Sequence, residues 1–174
     1  MSQSAVAAIH DEPEQAGSPA GPCVMVVFGA TGDLTMRKLI PALYNLEKAH
    51  LLPKEFAVLG VAHDDMALDD FRAKVMRFLD AEDHGIDHWD RFKHLLHYVQ
   101  GDFGDPATYV RLTETLASIG QECGTDENYL FYMATSPKFF SQIVQQLGDI
   151  VAGVQAQQVF TRRPEAPQEL CLGQ

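Results

Sequence analysis

The sequence is poor in cysteine and has no long apolar run, and each shortage argues against a class of protein. Its 3 cysteines, Cys23, Cys123 and Cys171, are widely spaced and include no C-x-x-C pair. They therefore predict neither a disulfide framework nor a metal site, and they favour a reducing cytoplasm. No apolar run approaches the roughly 18 to 20 residues of a membrane-spanning helix, so no membrane segment is predicted.

Basic residues are also scarce. The chain has 13 Lys and Arg against 24 Asp and Glu, and its formal net charge is −11. A surface of this sign repels nucleic acids and anionic membranes, so neither is predicted as a partner. It leaves room for one phosphate site, because such a site depends on local groups. The histidines at 84, 88, 94 and 97 are irregularly spaced and lack a carboxylate pattern, so no metal site is predicted.

The beginning of the chain has little that predicts folded structure. It contains neither the basic region nor the apolar region of a signal peptide, and we expect none. Its content of Ala, Ser, Pro, Gly and Glu predicts a disordered lead over residues 1–22. The whole chain has 174 residues, of which 46% are hydrophobic, and this is sufficient for one globular domain.

The most informative stretch is residues 24–38. An apolar strand from Val24 to Phe28 runs directly into Gly29, Gly32 follows, and an amphipathic helix begins after it. Gly29 allows a sharp turn, and Gly32 has no Cβ to hold a ligand away. The N–H groups at the start of the helix favour an anion, usually a pyrophosphate. The spacing predicts a dinucleotide-binding turn, although Thr35 stands where Gly or Ala normally allows close helix–strand packing.

Segments with strand and helix patterns alternate along the rest of the chain. This order predicts an α/β Rossmann-like, doubly wound parallel sheet, incomplete, with about four strands and flanking helices. Pro41 lies inside the first helix and is expected to kink it. Asp64 or Asp65 is expected to cap the second helix. The strands are predicted at 24–28, 56–62, 96–102 and 128–134, the helices up to 49, at 68–79 and 89–95 and from 106 and 138, and a loop at 120–127.

The end of the second strand, His63-Asp64-Asp65, is where a dinucleotide fold selects its cofactor. A carboxylate there accepts hydrogen bonds from the adenosine ribose and favours NAD, whereas an arginine pairs with the 2′-phosphate of NADP. A histidine of ordinary pKa is mostly neutral at pH 7 and replaces such a cation poorly. We therefore expect that NAD is not strongly disfavoured against NADP. The alternative is that the three residues form only a solvated loop and helix cap.

Three segments resemble one family, and the shortest match is Asp105, Tyr109 and Leu112 to its pattern D-x-x-x-Y-x-x-L. GATGDLTMRKLIPALYNL, which begins at Gly29, resembles the opening of glucose-6-phosphate dehydrogenase, with the pattern G-[AG]-[ST]-G-D-L-A-x-[KR]-K-[IL]-x-P; Thr35 and Met36 depart from it. LFYMATSP fits the family pattern L-F-Y-[LM]-A-x-[PS]-P. The resemblance extends over residues 23–148 and rests on Gly29, Gly32, Asp33, Leu34, Arg37, Lys38, Leu39, Pro41, Leu130, Phe131, Tyr132, Met133, Ala134, Ser136 and Pro137.

The resemblance implies that residues 23–148 are the NAD(P)-binding domain of an oxidoreductase. Full-length relatives are expected to be homo-oligomers that oxidise glucose 6-phosphate to 6-phosphogluconolactone in the pentose phosphate pathway. Lys38 is expected to bind the sugar-phosphate side, unless it is a solvated helix lysine. No catalytic residue is expected here, because the family's proton-accepting histidine lies in a later segment. The residues expected to contact NADP or NAD are Gly29, Ala30, Thr31, Gly32, Asp33, Leu34, His63, Asp64, Ala134, Thr135 and Pro137.

Residues 149–174 do not fit the family, which continues with a strand bearing E-K-P-F-G. They are rich in Gln, Ala and Pro, and we expect an irregular, aberrant tail on a truncated, inactive chain. Two other functions stay open. A short-chain-type sugar-nucleotide reductase also uses G-A-T-G, but its Y-x-x-x-K pair could only be Tyr44 with Lys48, on the first helix. The chain could instead be a non-catalytic nucleotide-binding fragment.

Overall fold

The structure is a computed structural model that describes residues 21–81, 84, 86–125, 128–151 and 158–160. Strands and helices alternate along these residues. The strands are β1 (Cys23–Phe28), β2 (Phe56–Ala62), β3 (Leu96–Gln100), β4 (Tyr129–Met133) and β5 (Gln158–Phe160). The α-helices are α1 (Ile40–Lys48), α2 (Leu68–Ala81), α3 (Trp89–Leu95), α4 (Pro106–Cys123) and α5 (Phe140–Val151). A π-helix (Thr35–Leu39) precedes α1, and a 3-10 helix (Pro137–Phe139) precedes α5.

The strands form one parallel sheet in the order β3-β2-β1-β4-β5. Phe28 at the end of β1 pairs with Val61 of β2 and with Met133 of β4, so these strands end at the same level. The chain order reverses between β1 and β4, and doubly wound sheets bind their ligands outside the carboxyl ends of the strands at this point. The predicted Rossmann-like α/β fold is confirmed.

Helices cover both faces of the sheet, with α1, α2 and α3 on one face and α4 and α5 on the other. Alternate residues of β1 contact the two layers, Met25 and Val27 the first and Val26 and Phe28 the second. A strand covered on both faces must be apolar at successive positions, which explains why β2 is buried throughout. The buried helix residues are Ile40, Leu43, Tyr44, Phe71, Val75, Leu79 and Phe92 on one face, and Tyr109, Leu112, Leu116, Ile119, Ile143 and Leu147 on the other.

The first helix is irregular where a kink at Pro41 is expected. Residues Thr35–Leu39 form a π-helix, and the N–H of Ile40 donates to the carbonyl of Thr35. Proline has no N–H, and its ring would collide with the carbonyl four residues earlier in a regular helix. The wider π turn lies directly before Pro41, which is itself buried near the start of α1. The chain thus adapts to this proline through a π turn.

Two helix boundaries are informative. The cap of α4 is as expected, because the Asp105 carboxylate accepts a hydrogen bond from the N–H of Ala107 and Pro106 is the first helical residue. The loop predicted from residue 120 is wrong over its first part, since α4 continues to Cys123. It ends at Gly124, whose φ of 67° is the left-handed conformation that glycine adopts readily.

The tail predicted to be irregular from residue 149 contains regular structure. Helix α5 continues to Val151, and residues 158–160 form β5, with Gln158 opposite Leu130 of β4. The prediction was wrong here because a short edge strand is held by main-chain hydrogen bonds and needs no side-chain period. Residues 1–20, most of the predicted lead, and residues 161–174 lie outside the described residues.

Candidate functional site

The turn after β1 is built around Gly29. Its φ is +89°, and its N–H and that of Ala30 both donate to the carbonyl of Val61, at 2.8 and 3.2 Å. The N–H of Gly32 then donates to the Gly29 carbonyl at 3.0 Å. A Cβ on Gly29 would lie 2.7 Å from the carbonyl oxygen of Ala134. Glycine therefore allows both the turn and the close approach of the end of β4.

Thr35 replaces the small residue that a dinucleotide turn usually has at this position. It is 1% exposed, and its hydroxyl donates to the Gly29 carbonyl at 2.8 Å. A buried hydroxyl without a partner would be unfavourable, and this hydrogen bond removes that penalty. The departure from the expected pattern is thus accommodated by a bond within the turn.

A cleft of about 300 Å³ lies at the carboxyl ends of the strands. Three predicted segments meet in it, namely the glycine turn, the end of β2 and the end of β4. The predicted residues that line it are Gly29, Thr31, Gly32, His63, Ala134 and Thr135. Topology therefore brings together groups that are up to 106 positions apart, from Gly29 to Thr135.

The other predicted site residues lie outside the lining of this cleft. Ala30 is buried, and its methyl packs so close to Gly60 that a Cβ there would lie 2.6 Å away. The exposed Asp33 pairs with Arg37 at 2.5 Å. Leu34 is half-buried, Pro137 is exposed at the start of the 3-10 helix, and Lys38 is exposed on the π-helix.

The end of β3 and two aromatic rings complete the cleft, and the sequence reasoning missed them. Gly101, Asp102 and Phe103 line it together with Ala62 and Phe139. A Gly-Asp pair at the end of the predicted third strand was the available signal, because parallel strands end at the same edge; the observed strand ends earlier, at Gln100. The ring packing of Phe103 against Phe139, with centroids 5.5 Å apart, joins residues far apart in the sequence and has no local signal.

Asp64 is bonded to the glycine turn, since its carboxylate accepts a hydrogen bond from the hydroxyl of Thr31. This bond, helped by the charges of His63 and Lys74, lowers the pKa of Asp64 below its ordinary value. The predicted helix cap is wrong, because Phe71 donates to the carbonyl of Ala67 and α2 begins there. Asp64 instead links the loop after β2 to the turn after β1.

Tyr98 of β3 also holds the loop after β2, through a hydrogen bond to its main chain. Its hydroxyl donates to the carbonyl of Asp64 at 2.7 Å and lies 3.4 Å from that of Ala62. Burial, with the negative charges of Asp64 and Asp65, raises the pKa of Tyr98 to about 12. The tyrosine is therefore a neutral donor at physiological pH, and its ring stacks on Phe71 at 4.9 Å.

Arg72 does not bring a cation to the end of β2. Its guanidinium donates to the carbonyl of Leu96 at 3.0 Å and contacts Asp69 at 3.6 Å. Leu96 is the first residue of β3 and pairs with Val58, so it lies four residues, or roughly 13 Å, from the level at which β2 ends. The residues that directly follow β2 are His63, Asp64 and Asp65, and Lys74 of α2 is the cation whose charge acts on Asp64.

The structure does not support the alternative in which Tyr44 and Lys48 form a catalytic pair. Tyr44 is 0% exposed, and its hydroxyl accepts a hydrogen bond from the N–H of His88 at 3.1 Å. The ammonium of Lys48 lies 5.6 Å from the centre of the Tyr44 ring. This tyrosine is a core residue, far from the carboxyl ends of the strands.

The described residues contain no group of three or more His, Cys, Asp or Glu side chains that could hold a metal ion. No helix among them is long and apolar enough to cross a membrane.

Comparison with known proteins extends the resemblance. A sequence model of the family "Glucose-6-phosphate dehydrogenase, NAD binding domain" matches residues 26–164. Glucose-6-phosphate 1-dehydrogenase of Chlamydia muridarum is 40% identical over 130 residues, which are 72% of this chain and 26% of that protein. The chain thus spans about a quarter of the length of the curated relatives that it matches.

Solved structures agree with this match. Glucose-6-phosphate 1-dehydrogenase from Mycobacterium avium superposes with a TM-score of 0.67 at 30% identity, covering 79% of this chain and 29% of that one. A glucose-6-phosphate dehydrogenase in complex with its substrate glucose 6-phosphate gives 0.73 at 26% identity, covering 86% and 32%. The family match includes the glycine turn and the ends of β2, β3 and β4. The chain belongs to the family of glucose-6-phosphate dehydrogenase NAD-binding domains.

Proposed function

We propose that this chain binds a nicotinamide dinucleotide at the carboxyl edge of its sheet, as the coenzyme-binding part of a glucose-6-phosphate dehydrogenase. The observation that carries the proposal is the turn at Gly29, which joins the ends of β1, β2 and β4 in one cleft. The start of the following helix offers N–H groups that have no acceptor within the helix, which suits a pyrophosphate.

The residues fit such a cofactor. Gly29 and Gly32 leave the backbone of the turn accessible, and Thr31 faces the cleft beside them. His63 and Asp64 follow β2, on the side where a dinucleotide fold holds the adenosine ribose. Ala134, Thr135 and Phe139 form the opposite side of the cleft. When bound, the cofactor would accept a hydride from the sugar.

The charges at the end of β2 favour NAD more than an arginine in the same place would. His63 offers at most one hydrogen-bond donor to a 2′-phosphate, and Asp64 and Asp65 bring negative charge near it. Losing one charged partner weakens such a contact by roughly 1.5 to 3 kcal/mol, about tenfold to a hundredfold in affinity. We therefore propose that NAD is not strongly disfavoured, and that Asp64 accepts from the ribose while bonded to Thr31.

Calorimetric titration of the chain with NAD and with NADP tests the proposal. We expect saturable binding of both, with any preference for NADP below about a hundredfold. His63→Arg should raise the affinity for NADP and leave that for NAD nearly unchanged. Gln121→Arg, which adds the same charge to the exposed face of α4, is the matched control and should change neither. No saturable binding of either cofactor contradicts the function; a larger NADP preference contradicts only the specificity.

The substrate and cellular context are inferred from the family alone. We propose glucose 6-phosphate as the sugar substrate of the whole enzyme, with Lys38 on the sugar-phosphate side, and a homo-oligomeric assembly. A cytoplasmic location is proposed from the cysteines. Cys23 and Cys123 are free thiols. Burial raises the pKa of Cys23, which keeps its thiol protonated.

A further inference from the structure

A second cleft, of about 580 Å³, lies at the other edge of the sheet. It is formed by the end of α1, the segment leading into β2 and helix α3. Pro53, which lines it, precedes β2, and Leu95 directly precedes β3. Because β2 has 7 residues, this cleft lies roughly 20 Å from the glycine turn, at the amino ends of the strands. It is therefore separate from the coenzyme cleft.

The charge of the cleft is opposite to that of the chain. Its lining includes the cations Lys54 and Arg91, the imidazoles of His50 and His94, and one acid, Glu47. The whole chain has 24 acidic residues against 13 Lys and Arg. A basic cluster is therefore unusual on this acidic chain, and its charge is suited to attract an anion.

Glu47 positions Arg91 without occupying all of its hydrogen-bond donors. Its carboxylate contacts the Arg91 guanidinium at 3.0 Å, and its side chain is only 9% exposed. The Arg91 side chain is 62% exposed, so guanidinium donors remain open to the cleft. The Nδ1 atom of His50 lies 3.5 Å from the Arg91 guanidinium, so these two side chains are adjacent in the cleft.

His50 is held in a backbone conformation that suits glycine. Its φ is 55°, and it follows the end of α1 in a Schellman motif, with His50 N–H on the Glu47 carbonyl and Leu51 N–H on that of Leu46. Glycine is the usual residue here because a Cβ is unfavourable in the left-handed conformation. The chain carries a strained histidine where glycine would be more stable, and this residue lines the cleft.

We propose that this second cleft binds a phosphomonoester, with Lys54, Arg91, His50 and His94 around the phosphate. The volume exceeds that of a bare phosphate ion, and Leu52, Pro53 and Leu95 provide an apolar wall for an organic group. Phenyl phosphate, which has both parts, should therefore bind more tightly than inorganic phosphate.

The test is titration of the 174-residue chain with phenyl phosphate and with inorganic phosphate at constant ionic strength, by calorimetry and by NMR of the imidazole signals. We expect saturable shifts of His50 and His94, with phenyl phosphate binding several-fold more tightly. Lys54→Gln should weaken binding about tenfold, as expected for one lost charged contact. Lys93→Gln removes the same charge from α3 outside the cleft and should have little effect.

His50→Gly separates binding from stability. It should raise the melting temperature, because glycine relieves the backbone strain, and at the same time weaken phenyl phosphate binding. A purely structural histidine would give the first effect without the second, which would overturn the proposal. Linear shifts, equal affinity for the two probes, or shifts confined to the amides of Gly29 and Gly32 would also overturn it. These outcomes are independent of NAD binding at the other edge.

Discussion

Gly29 combines two constraints that a side chain cannot meet together. Its φ of +89° is in the region that L-residues rarely adopt, and the oxygen of Ala134 occupies the space of a Cβ at 2.7 Å. The clash is with backbone, which cannot rotate away as a flexible side chain could. Gly29 therefore fixes the distance between the glycine turn and the end of β4 across the candidate site.

Gly29→Ala should destabilise the chain by at least about 2 kcal/mol, since strain and overpacking add. Gly148→Ala is a matched control in the exposed part of α5, where a Cβ would meet nothing within 4 Å. It should stabilise the chain by roughly 0.5 to 1 kcal/mol, because alanine loses less entropy than glycine in a helix. Urea unfolding of both variants measures this, and similar changes in the two would contradict it.

Thr31 should control the acidity of Asp64. Its hydroxyl bond is the main cause of the lowered pKa, so Thr31→Val should move this pKa up towards the ordinary value of about 3.9. A lowered pKa contributes stability that is present above the unfolded-state pKa and is lost as the pH falls through the folded-state one. The variant should therefore lose less of its stability on acidification below about pH 4.

Carboxyl-carbon NMR titration of the wild type and Thr31→Val measures this shift. Asp90 is an internal control, because its pKa is lowered by the hydrogen bond and charge of Lys93, away from Thr31. An unchanged Asp64 titration, or an equal shift of Asp90, would show that the hydroxyl bond is not the cause.

Which residues could be placed from the sequence depends on how local their geometry is. Gly29, Gly32 and His63 line the cleft, as predicted. Their positions were predictable because turns and strand ends follow from local sequence patterns. Ala30 was expected at the cofactor, but its methyl packs towards Gly60 on the neighbouring strand. The bond between Thr31 and Asp64 spans 33 positions and depends on strand pairing, so no local pattern contains it.

At the scale of elements, the loop after β2 is fixed by β3. The hydroxyl of Tyr98, on β3, donates to the carbonyl of Asp64. The hydroxyl of Thr31, in the glycine turn, donates to the carboxylate of Asp64. Three neighbouring parts of the sheet edge thus determine where His63 and Asp64 lie. This arrangement gives the loop after β2 a defined position before any ligand binds.

Tyr98→Phe should cost about 1 kcal/mol, because one hydrogen bond is lost and a partly buried carbonyl loses its partner. It should also speed hydrogen exchange of the Asp64 and Asp65 amides. Tyr132→Phe is the control, since the hydroxyl of that half-buried strand residue has no hydrogen bond among the described residues. Equal destabilisation by the two variants would mean that Tyr98 contributes by packing alone.

The elements themselves were largely predictable, and the exceptions have physical causes. β2 and α3 have the predicted bounds, because a run of apolar residues and an amphipathic pattern stand between clear breakers. The π-helix before Pro41 was not predicted, since a proline indicates disruption without specifying its form. β5 was not predicted, because three residues carry too little pattern.

At the scale of the whole molecule, the two edges of the sheet differ in charge and shape. The carboxyl edge has the smaller cleft, lined by the glycine turn, small residues and the rings of Phe103 and Phe139, with His63 and Asp102. The amino edge has a wider cleft with cations and imidazoles. We thus propose two separate phosphate sites on one acidic chain, the first based on backbone N–H groups and the second on side chains.

The last prediction is that the 174-residue chain binds coenzyme but does not oxidise glucose 6-phosphate. The reaction needs a base to accept the proton of the sugar hydroxyl near the hydride acceptor. On the β4 side of the cleft the lining residues Ala134, Thr135 and Phe139 provide none, and the titratable residues His63 and Asp102 stand on the opposite side, after β2 and β3. The relatives, of which this chain spans 26%, have far more sequence to supply it.

The measurement follows the absorbance of reduced coenzyme with glucose 6-phosphate and either NAD or NADP, beside a fluorescence titration of coenzyme binding. A full-length relative serves as the positive control, and heat-treated chain as the blank. We expect binding without turnover above the blank. Turnover that copurifies with the chain and is lost in His63→Gln would contradict the prediction, because it would mean that a residue at the end of β2 reaches the sugar and accepts its proton.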